Sequence, residues 1–186
     1  MDYYIIDASS NVEEYLKLGK DIVDKIGKAC VMSEFQYLDR SVLSSELDEK
    51  SGRVCQDFIY DHGIPLVSEK LKDFFDTLGI DYLFYKKIIL TKSSAGIAEP
   101  YWLALPQRIN CLNFEKSEID PYMNSVEKDG IVINDSKVGR FDIFKLGGAT
   151  KLGQLTNLEI IVTENLANKL KEKKFKGLHI YRISSN

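Results

Sequence analysis

The sequence predicts an α+β fold, in which a mixed and mainly antiparallel sheet carries two similar strand–helix–strand units. The first observation is an internal repeat: Val67–Leu71 (VSEKL) reappears 95 residues later as Val162–Leu166 (VTENL). The second is that each copy opens a helix with a hydroxyl residue, and the third is that extended segments rich in β-branched and aromatic residues surround both copies. No linker rich in proline, glycine or serine divides the chain, so we expect residues 1–186 to form a single domain.

The N-terminal part, residues 1–60, carries the weaker signals. Tyr3–Ile6 predicts an opening strand. Asn11 is a suitable N-cap for a helix beginning at Val12, although Gly19 interrupts its apolar pattern and leaves one bent helix or two short helices possible. A strand over residues 31–38 and a polar, mobile excursion over residues 40–52 are expected to follow.

The first copy of the repeat has a complete helix signature. Ile64–Val67 is extended, because Pro65 disfavours a helix there. Ser68 is a good N-cap, and Gly79 occupies the position where a helix commonly ends in a left-handed residue. Between them, one helix face is apolar, formed by Leu71, Phe74, Phe75 and Leu78.

The rest of the sequence predicts strands and one further helix. Residues 141–146 alternate apolar and charged side chains and predict a half-buried strand. The other predicted elements are strands over 80–90, 100–105, 108–114 and 131–133, and then the second copy, with a strand over 158–162, a helix over 163–173 and a strand over 178–183.

Composition and charge exclude several classes of protein. With 44% apolar and 28% charged residues the chain is an ordinary globular one, and a net charge of −3 argues against a nucleic-acid binder. Cys30, Cys55 and Cys111 are too widely spaced for a zinc site and indicate reduced thiols. No signal peptide and no apolar run long enough to cross a bilayer is present, so we expect a cytoplasmic protein that does not contact the membrane.

Catalytic chemistry is sparse in this sequence. His62 and His179 are the only histidines, which excludes a metal site built from several of them. Cysteine–histidine pairs, Cys55 with His62 or Cys111 with His179, lie in no recognisable motif, and no glycine-rich phosphate loop or carboxylate pair is evident. The sequence therefore predicts neither an enzyme nor a cofactor.

Two groups of residues are candidates for binding a protein partner. Glu46, Asp48 and Glu49 form an acidic run that is either a solvated loop or a surface for a basic partner. Tyr101 and Trp102, the latter the only tryptophan, pack in the core at the start of a strand or anchor an interface.

Taken together, several segments give the chain a family resemblance. The helix phrase Leu66–Phe75 is followed by strands like Tyr101–Leu105 and Ile109–Phe114, then by Phe141–Leu146, a second such helix and the ending Lys176–Ile183. In this order they resemble a family of bacterial immunity proteins first described as a domain of unknown function. The resemblance covers about residues 60–183; it departs from the family pattern at Thr163, where a serine is expected, and at residues 110–113, where an acidic residue is expected.

The resemblance implies a cytoplasmic protein that binds and neutralises a toxin delivered by neighbouring bacteria and encoded beside the immunity gene. Stoichiometric occlusion would then be the mechanism, without a cofactor or catalytic residues. Two alternatives remain. One is an enzyme or small-molecule-binding domain with a site between the two repeats, at His179 or Cys111, and the other is an interaction domain with no toxin partner.

Overall fold

The computed structural model describes residues 1–8, 13–120, 122–156 and 158–183. They fall into two compact units. The first contains Met1–Asp7, Pro106–Lys173 and Ile180–Asn186, and the second contains Ala8–Leu105 and Lys174–His179. That the whole chain is one domain stays a prediction.

The strands are numbered in chain order. They are β1 (Tyr3–Ala8), β2 (Leu43–Glu46), β3 (Phe58–Asp61), β4 (Ile64–Val67), β5 (Phe84–Lys92), β6 (Ile97–Leu105), β7 (Arg108–Ile109), β8 (Ile119–Asp120), β9 (Ser125–Val126), β10 (Ile143–Leu146), β11 (Ala149–Thr150), β12 (Gly153–Gln154), β13 (Ile160–Thr163) and β14 (Leu178–Arg182).

The helices are fewer and shorter. They are α1 (Lys20–Ile22) and α2 (Lys28–Met32), joined by a π-helical turn at Val23–Gly27, then α3 (Glu69–Thr77) and α4 (Glu164–Lys173), with 3₁₀ turns at Phe35–Tyr37, Ser93–Ala95, Lys128–Gly130 and Asp135–Lys137. No helix in the described ranges is long and apolar enough to span a membrane.

The second unit is built on a five-stranded sheet in the order β2-β5-β6-β4-β3. Only β2 and β5 are parallel; the other neighbours are antiparallel. One face of this sheet, including Ile88, Leu90 and Leu103, packs into a core with Ile22 and Cys30 of the N-terminal helical segment. This packing removes the apolar side chains from water and is the main stabilising contribution to the unit.

The first unit has its own five-stranded sheet, in the order β14-β1-β13-β10-β7. Strands β1, β13 and β10 are antiparallel neighbours, whereas β7 runs parallel to β10. Its core brings together Ile5, Phe144 and Ile161 from three of these strands with Cys111 and Leu112. Mixed, mainly antiparallel sheets with few helices confirm the predicted α+β fold.

The repeat has the same local hydrogen bonding in both units. The Ser68 amide donates to the Asp57 carbonyl (2.9 Å) and the Ser68 hydroxyl to the Asp57 carboxylate (2.8 Å). The Thr163 amide donates to the Asp142 carbonyl (3.0 Å) and the Thr163 hydroxyl to the Asp142 carboxylate (2.6 Å). Each copy therefore anchors its helix start to an aspartate that precedes a neighbouring antiparallel strand. The two predicted strand–helix–strand units are β4-α3-β5 and β13-α4-β14.

The correspondence extends to a strand that the sequence repeat does not include. In the second unit, β6 lies between β4 and β5; in the first, β1 lies between β13 and β14. Trp102 of β6 is paired with Val67, and Tyr4 of β1 is paired with Val162, the equivalent valine. In the second unit this strand, β6, follows α3 in the sequence, whereas in the first unit the equivalent strand, β1, precedes α4. The two units therefore share one spatial arrangement of strands and helix but differ in the order of these elements along the chain.

The capping predictions for α3 are confirmed. The Ser68 hydroxyl accepts from the Leu71 amide (3.3 Å), and Gly79 has a φ of +70° just past the helix end. Such a φ favours glycine because it has no Cβ.

The predicted helix from Val12 is wrong over residues 13–19, and Asn11 and Val12 themselves lie outside the described residues. In the described residues from 13 onwards, the first helical residue is Lys20. A Cβ on Gly19 would lie 2.2 Å from the Glu46 carbonyl oxygen, so this glycine permits a close backbone approach. The segment before it is held by bridges from Tyr15 and Leu18 to other parts of the second unit.

Three further predictions need correction. Residues 31–38 are not a strand, because they contain the end of α2 and a 3₁₀ turn. The excursion over residues 40–52 contributes β2, which completes a sheet. Strand β10 is buried on both faces, and even Lys145 is 0% exposed, so its alternating sequence does not give a half-buried strand.

Candidate functional site

The acidic run lies at the end of β2 and lines an open groove in the second unit. Glu46 and Glu49 are exposed and Asp48 is half-buried. The segment is well anchored, since the Leu47 amide donates to the Thr91 carbonyl (2.8 Å) and the Asp48 amide to the Lys17 carbonyl (3.1 Å). The groove has a volume of about 560 Å³ and is lined by Gly19, Lys20, Asp21, Glu46, Leu47, Asp48, Glu49, Lys50, Lys92 and Ser94.

The charges in this groove are mixed, with a small excess of carboxylates. The Lys92 ammonium donates to the carbonyls of Glu49 (3.0 Å) and Ser51 (2.6 Å), so it orders the acidic segment. Asp21 accepts from Lys25 (2.9 Å), and this hydrogen bond lowers the pKa of the Asp21 carboxyl. The exposed Glu46 and Glu49 give the rim an acidic character, which suits basic side chains of a protein partner.

Tyr101, predicted as a partner-binding residue, is part of the core. It is only 2% exposed, and its hydroxyl donates to the Gln56 carbonyl (2.8 Å). Burial raises the pKa of this phenol. The physical reason is strand alternation, because Tyr101 points to the face of β6 that packs into the core, whereas its neighbour Trp102 points to the other face.

Trp102 sits half-buried in a cluster of aromatic and charged side chains. Its indole Nε1 donates to Glu69 (2.6 Å), and the Tyr85 ring contacts it edge-on at 6.5 Å between centroids. The ammonium groups of Lys72 and Lys87 lie 5.2 and 5.7 Å from the indole ring centroid. These cation–π contacts and the hydrogen bond fix the orientation of the ring, so Trp102 is preorganised.

Trp102 and Glu46 lie on the same face of the sheet, opposite to the core. Pairing across β2, β5 and β6 places Tyr85 and Ala104 on this face together with eight further side chains. We name those eight the open sheet face: Ser44, Glu46, Lys87, Ile89, Thr91, Ala98, Pro100 and Trp102. All of them are exposed or half-buried. The face combines a fixed aromatic ring, apolar patches and charges of both signs, a composition typical of protein-binding surfaces.

The sequence did not predict Lys72, Lys87 or Glu69 as part of a site. Lys87 could have been found, because it follows Tyr85 at the spacing that puts both on one strand face, but its pairing with Trp102 depends on the β5–β6 register. Lys72 and Glu69 come from α3 and require the tertiary packing of that helix. Of the five predicted residues, Glu46 and Trp102 share the open sheet face, Asp48 and Glu49 line the adjoining groove, and Tyr101 is buried.

The thiols of Cys55 and Cys111 both have raised pKa values. Cys111 is 0% exposed, and burial raises the pKa of its thiol to about 12. Cys55 is exposed, yet desolvation and Glu99 raise the pKa of this thiol too. His62 sits in a left-handed turn beside Asp61, and His179 is exposed on β14. Thiols with raised pKa values are poor nucleophiles because the thiolate is the reactive form.

No group of three or more histidine, cysteine, aspartate or glutamate side chains in the described part of the chain is arranged to hold a metal ion.

No curated protein matches the chain. The sequence model of the Immunity protein family (Imm11) matches residues 5–185. The match includes residues 5–59, to which the resemblance described above did not extend. Because it covers nearly the whole chain, we conclude that this protein belongs to the Immunity protein family Imm11.

Proposed function

We propose that this protein binds a bacterial toxin and blocks it by stoichiometric occlusion. The observation that carries the proposal is the family match over residues 5–185. Immunity proteins protect the cell that makes them, so we place the protein in the cytoplasm and expect its toxin to be encoded by a neighbouring gene.

The open sheet face supports a role in binding a protein. Binding energy at protein interfaces is concentrated in a few residues, with tryptophan prominent among them, inside a polar rim. Trp102 is such a residue, held by Glu69, Lys72 and Lys87 without being fully buried. Glu46 at the other side of the face and Glu49 in the groove add charges that orient a basic partner.

The test is co-expression of this protein with the toxin encoded beside it in a susceptible host. We expect the cells to survive and the two proteins to co-purify. Trp102→Ala is expected to weaken the complex by about 30-fold or more, which corresponds to roughly 2 kcal/mol at a binding hot spot. Glu46→Lys is expected to slow association, because it reverses a charge at the interface.

Matched controls separate the interface from general effects. Tyr37→Ala removes an aromatic side chain that is 72% exposed in the second unit, and Glu172→Lys reverses an exposed charge on α4. Both are expected to leave the affinity unchanged. If the Trp102→Ala and Glu46→Lys variants bind the toxin as tightly as the wild type, the open sheet face is not the toxin-binding surface. Failure of the wild-type protein to protect or to co-purify would refute toxin binding itself.

A further inference from the structure

The first unit also carries an open groove. Its volume is about 520 Å³, and it is lined by Met123, Ser125, Val126, Glu127, Lys128, Asp129, Thr156, Leu158 and Glu159. None of these positions is among the binding residues predicted from the sequence.

Four exposed apolar side chains form what we name the apolar rim: Tyr122 (93% exposed), Met123 (67%), Leu152 (64%) and Leu158 (38%). Met123 and Leu158 line the groove, whereas Tyr122 is next to Met123 in the sequence and Leu152 is next to Gly153, whose carbonyl accepts from the Asn124 side chain. Asp120 fixes the first two, since its carboxylate accepts from the amides of Tyr122 (2.7 Å) and Met123 (3.0 Å). Single exposed apolar residues are ordinary, but several on neighbouring loops mark an interaction surface.

The two loops that carry the apolar rim are tied together by Asn124. Its side-chain amide donates to the carbonyls of Gly153 (3.2 Å) and Gln154 (2.7 Å), and its side-chain oxygen accepts from the Thr150 hydroxyl. The Thr156 amide donates to the Asn124 carbonyl (3.1 Å). These bonds order the loops before binding, so a partner loses less conformational entropy when it docks.

The groove is acidic. Its lining contains one ammonium group, that of Lys128, which donates to the Tyr181 hydroxyl (3.0 Å) and lies 3.5 Å from the Asp7 carboxylate. The contact with Asp7 already compensates this positive charge. Glu159 also lines the groove and raises the pKa of Lys128, so it shares in this compensation, and the lining adds the carboxylates of Glu127 and Asp129. An occupant with complementary charge must therefore be cationic.

We propose that this groove docks a segment of the toxin in which a lysine or arginine is flanked by apolar side chains. The cation faces the carboxylates of Glu127 and Asp129, and the apolar side chains pack on Tyr122, Met123 and Leu152. A protein segment fits better than a small molecule, because the apolar rim extends beyond the groove along two loops. The inference rests on the proposed function, since it specifies how the toxin is held.

The experiment measures binding of the purified chain to a catalytically inactivated form of the toxin encoded by the adjacent gene. One variant combines Tyr122→Ser with Met123→Ser and removes two exposed anchors. We expect it to raise Kd at least about tenfold, mainly through faster dissociation. A second combines Glu127→Lys with Asp129→Lys and is expected to slow association at least about tenfold at low salt, with the difference shrinking at about 0.5 M salt.

The controls are Tyr37→Ser and Glu115→Lys, which alter an exposed tyrosine and an exposed carboxylate outside the groove. They are expected to bind like the wild type. If the wild-type chain binds the toxin and both groove variants bind it with the same affinity, this inference is overturned, whereas toxin binding itself stands. No complex with the wild-type chain would refute the proposed function. Self-association of this chain that the groove variants abolish would also overturn the inference, because the occupant would then be a second copy.

Discussion

Gln56 is the residue whose substitution tests the second unit most sharply. Its side chain is 5% exposed and forms two hydrogen bonds with the backbone of Leu16, one from the side-chain amide to the Leu16 carbonyl (3.0 Å) and one from the Leu16 amide to the side-chain oxygen (3.1 Å). Leu16 is itself 2% exposed. The substitution Gln56→Leu keeps an approximately similar volume but leaves both buried backbone groups without these partners.

The expected loss of stability follows from those two groups. Each buried donor or acceptor that loses its partner costs about 1–3 kcal/mol, so the loss of both is expected to lower the free energy of unfolding by about 2–6 kcal/mol in Gln56→Leu. This is a large fraction of the roughly 5–15 kcal/mol typical of a folded protein. The measurement is urea unfolding followed by circular dichroism, with Gln36→Leu, an exposed glutamine, as the control expected to change within about 0.5 kcal/mol.

A loss below about 1 kcal/mol for Gln56→Leu, with the same dependence on urea, would contradict the stabilising role of the Gln56 side chain. It would mean that the Leu16 segment does not depend on the side chain of Gln56. The hydrogen bond from Tyr101 to the Gln56 carbonyl is made to the backbone and survives the substitution, so it does not confuse the result.

Three further predictions concern single contacts. Ser68→Ala and Thr163→Val each remove a hydroxyl bonded to an aspartate at a helix start, and each is expected to cost about 1–2 kcal/mol in thermal unfolding; no loss in either would contradict the shared anchoring. The hydrogen bonds from Ser41 and Lys86 lower the pKa of Asp39 to about 2. The contribution of Asp39 to stability is therefore present above the usual aspartate pKa and is lost as the pH falls towards 2. Asp39→Asn is expected to reduce the dependence of the free energy of unfolding on pH in that window, and an unchanged dependence would contradict this. Asn124 has a φ of +50° and three side-chain hydrogen bonds, so Asn124→Ala is expected to destabilise by about 1 kcal/mol more than Asn124→Gly, and equal melting temperatures would show that backbone strain is absent.

The repeated segments could be predicted from the sequence because their signals are local. Ser68, the apolar positions after it and Gly79 lie within one helix, and each acts through neighbours three or four residues away. The same holds for the second helix and for the strands that flank both. The family resemblance depends on these short sequence segments, so a single sequence is enough to detect it.

The elements that were missed depend on contacts between distant residues. Strand β2 has a polar sequence and forms a strand because it pairs with β5, so that Ser45 and Glu46 lie beside Leu90 and Thr91. A strand of this kind carries no apolar alternation that would distinguish it from a loop.

Buried polar side chains were missed for the same reason. Lys86 is 4% exposed because its ammonium donates to the Asp39 and Ser41 carbonyls and to the Asp39 carboxylate, and Gln56 is buried because it pairs with Leu16. The partners are about 40 residues away or more in the sequence, and no local pattern indicates them.

The two candidate binding surfaces also differ in whether a local sequence signal indicates them. Trp102 could be singled out because it is the only tryptophan, and strand alternation explains why its neighbour Tyr101 is buried. The apolar rim around Asn124 could not be predicted, because Tyr122, Met123 and Leu152 look like ordinary loop residues until hydrogen bonds join the two loops.

The most direct test of stoichiometric occlusion is a titration of the purified toxin with this protein. Stoichiometric occlusion predicts that toxin activity falls in proportion to the protein added and reaches zero near an equimolar ratio, with activity returning when the complex is dissociated. Complete loss of toxin activity at a small fraction of one equivalent, or a toxin that stays inactive after the protein is removed, would contradict occlusion and indicate catalytic inactivation of the toxin.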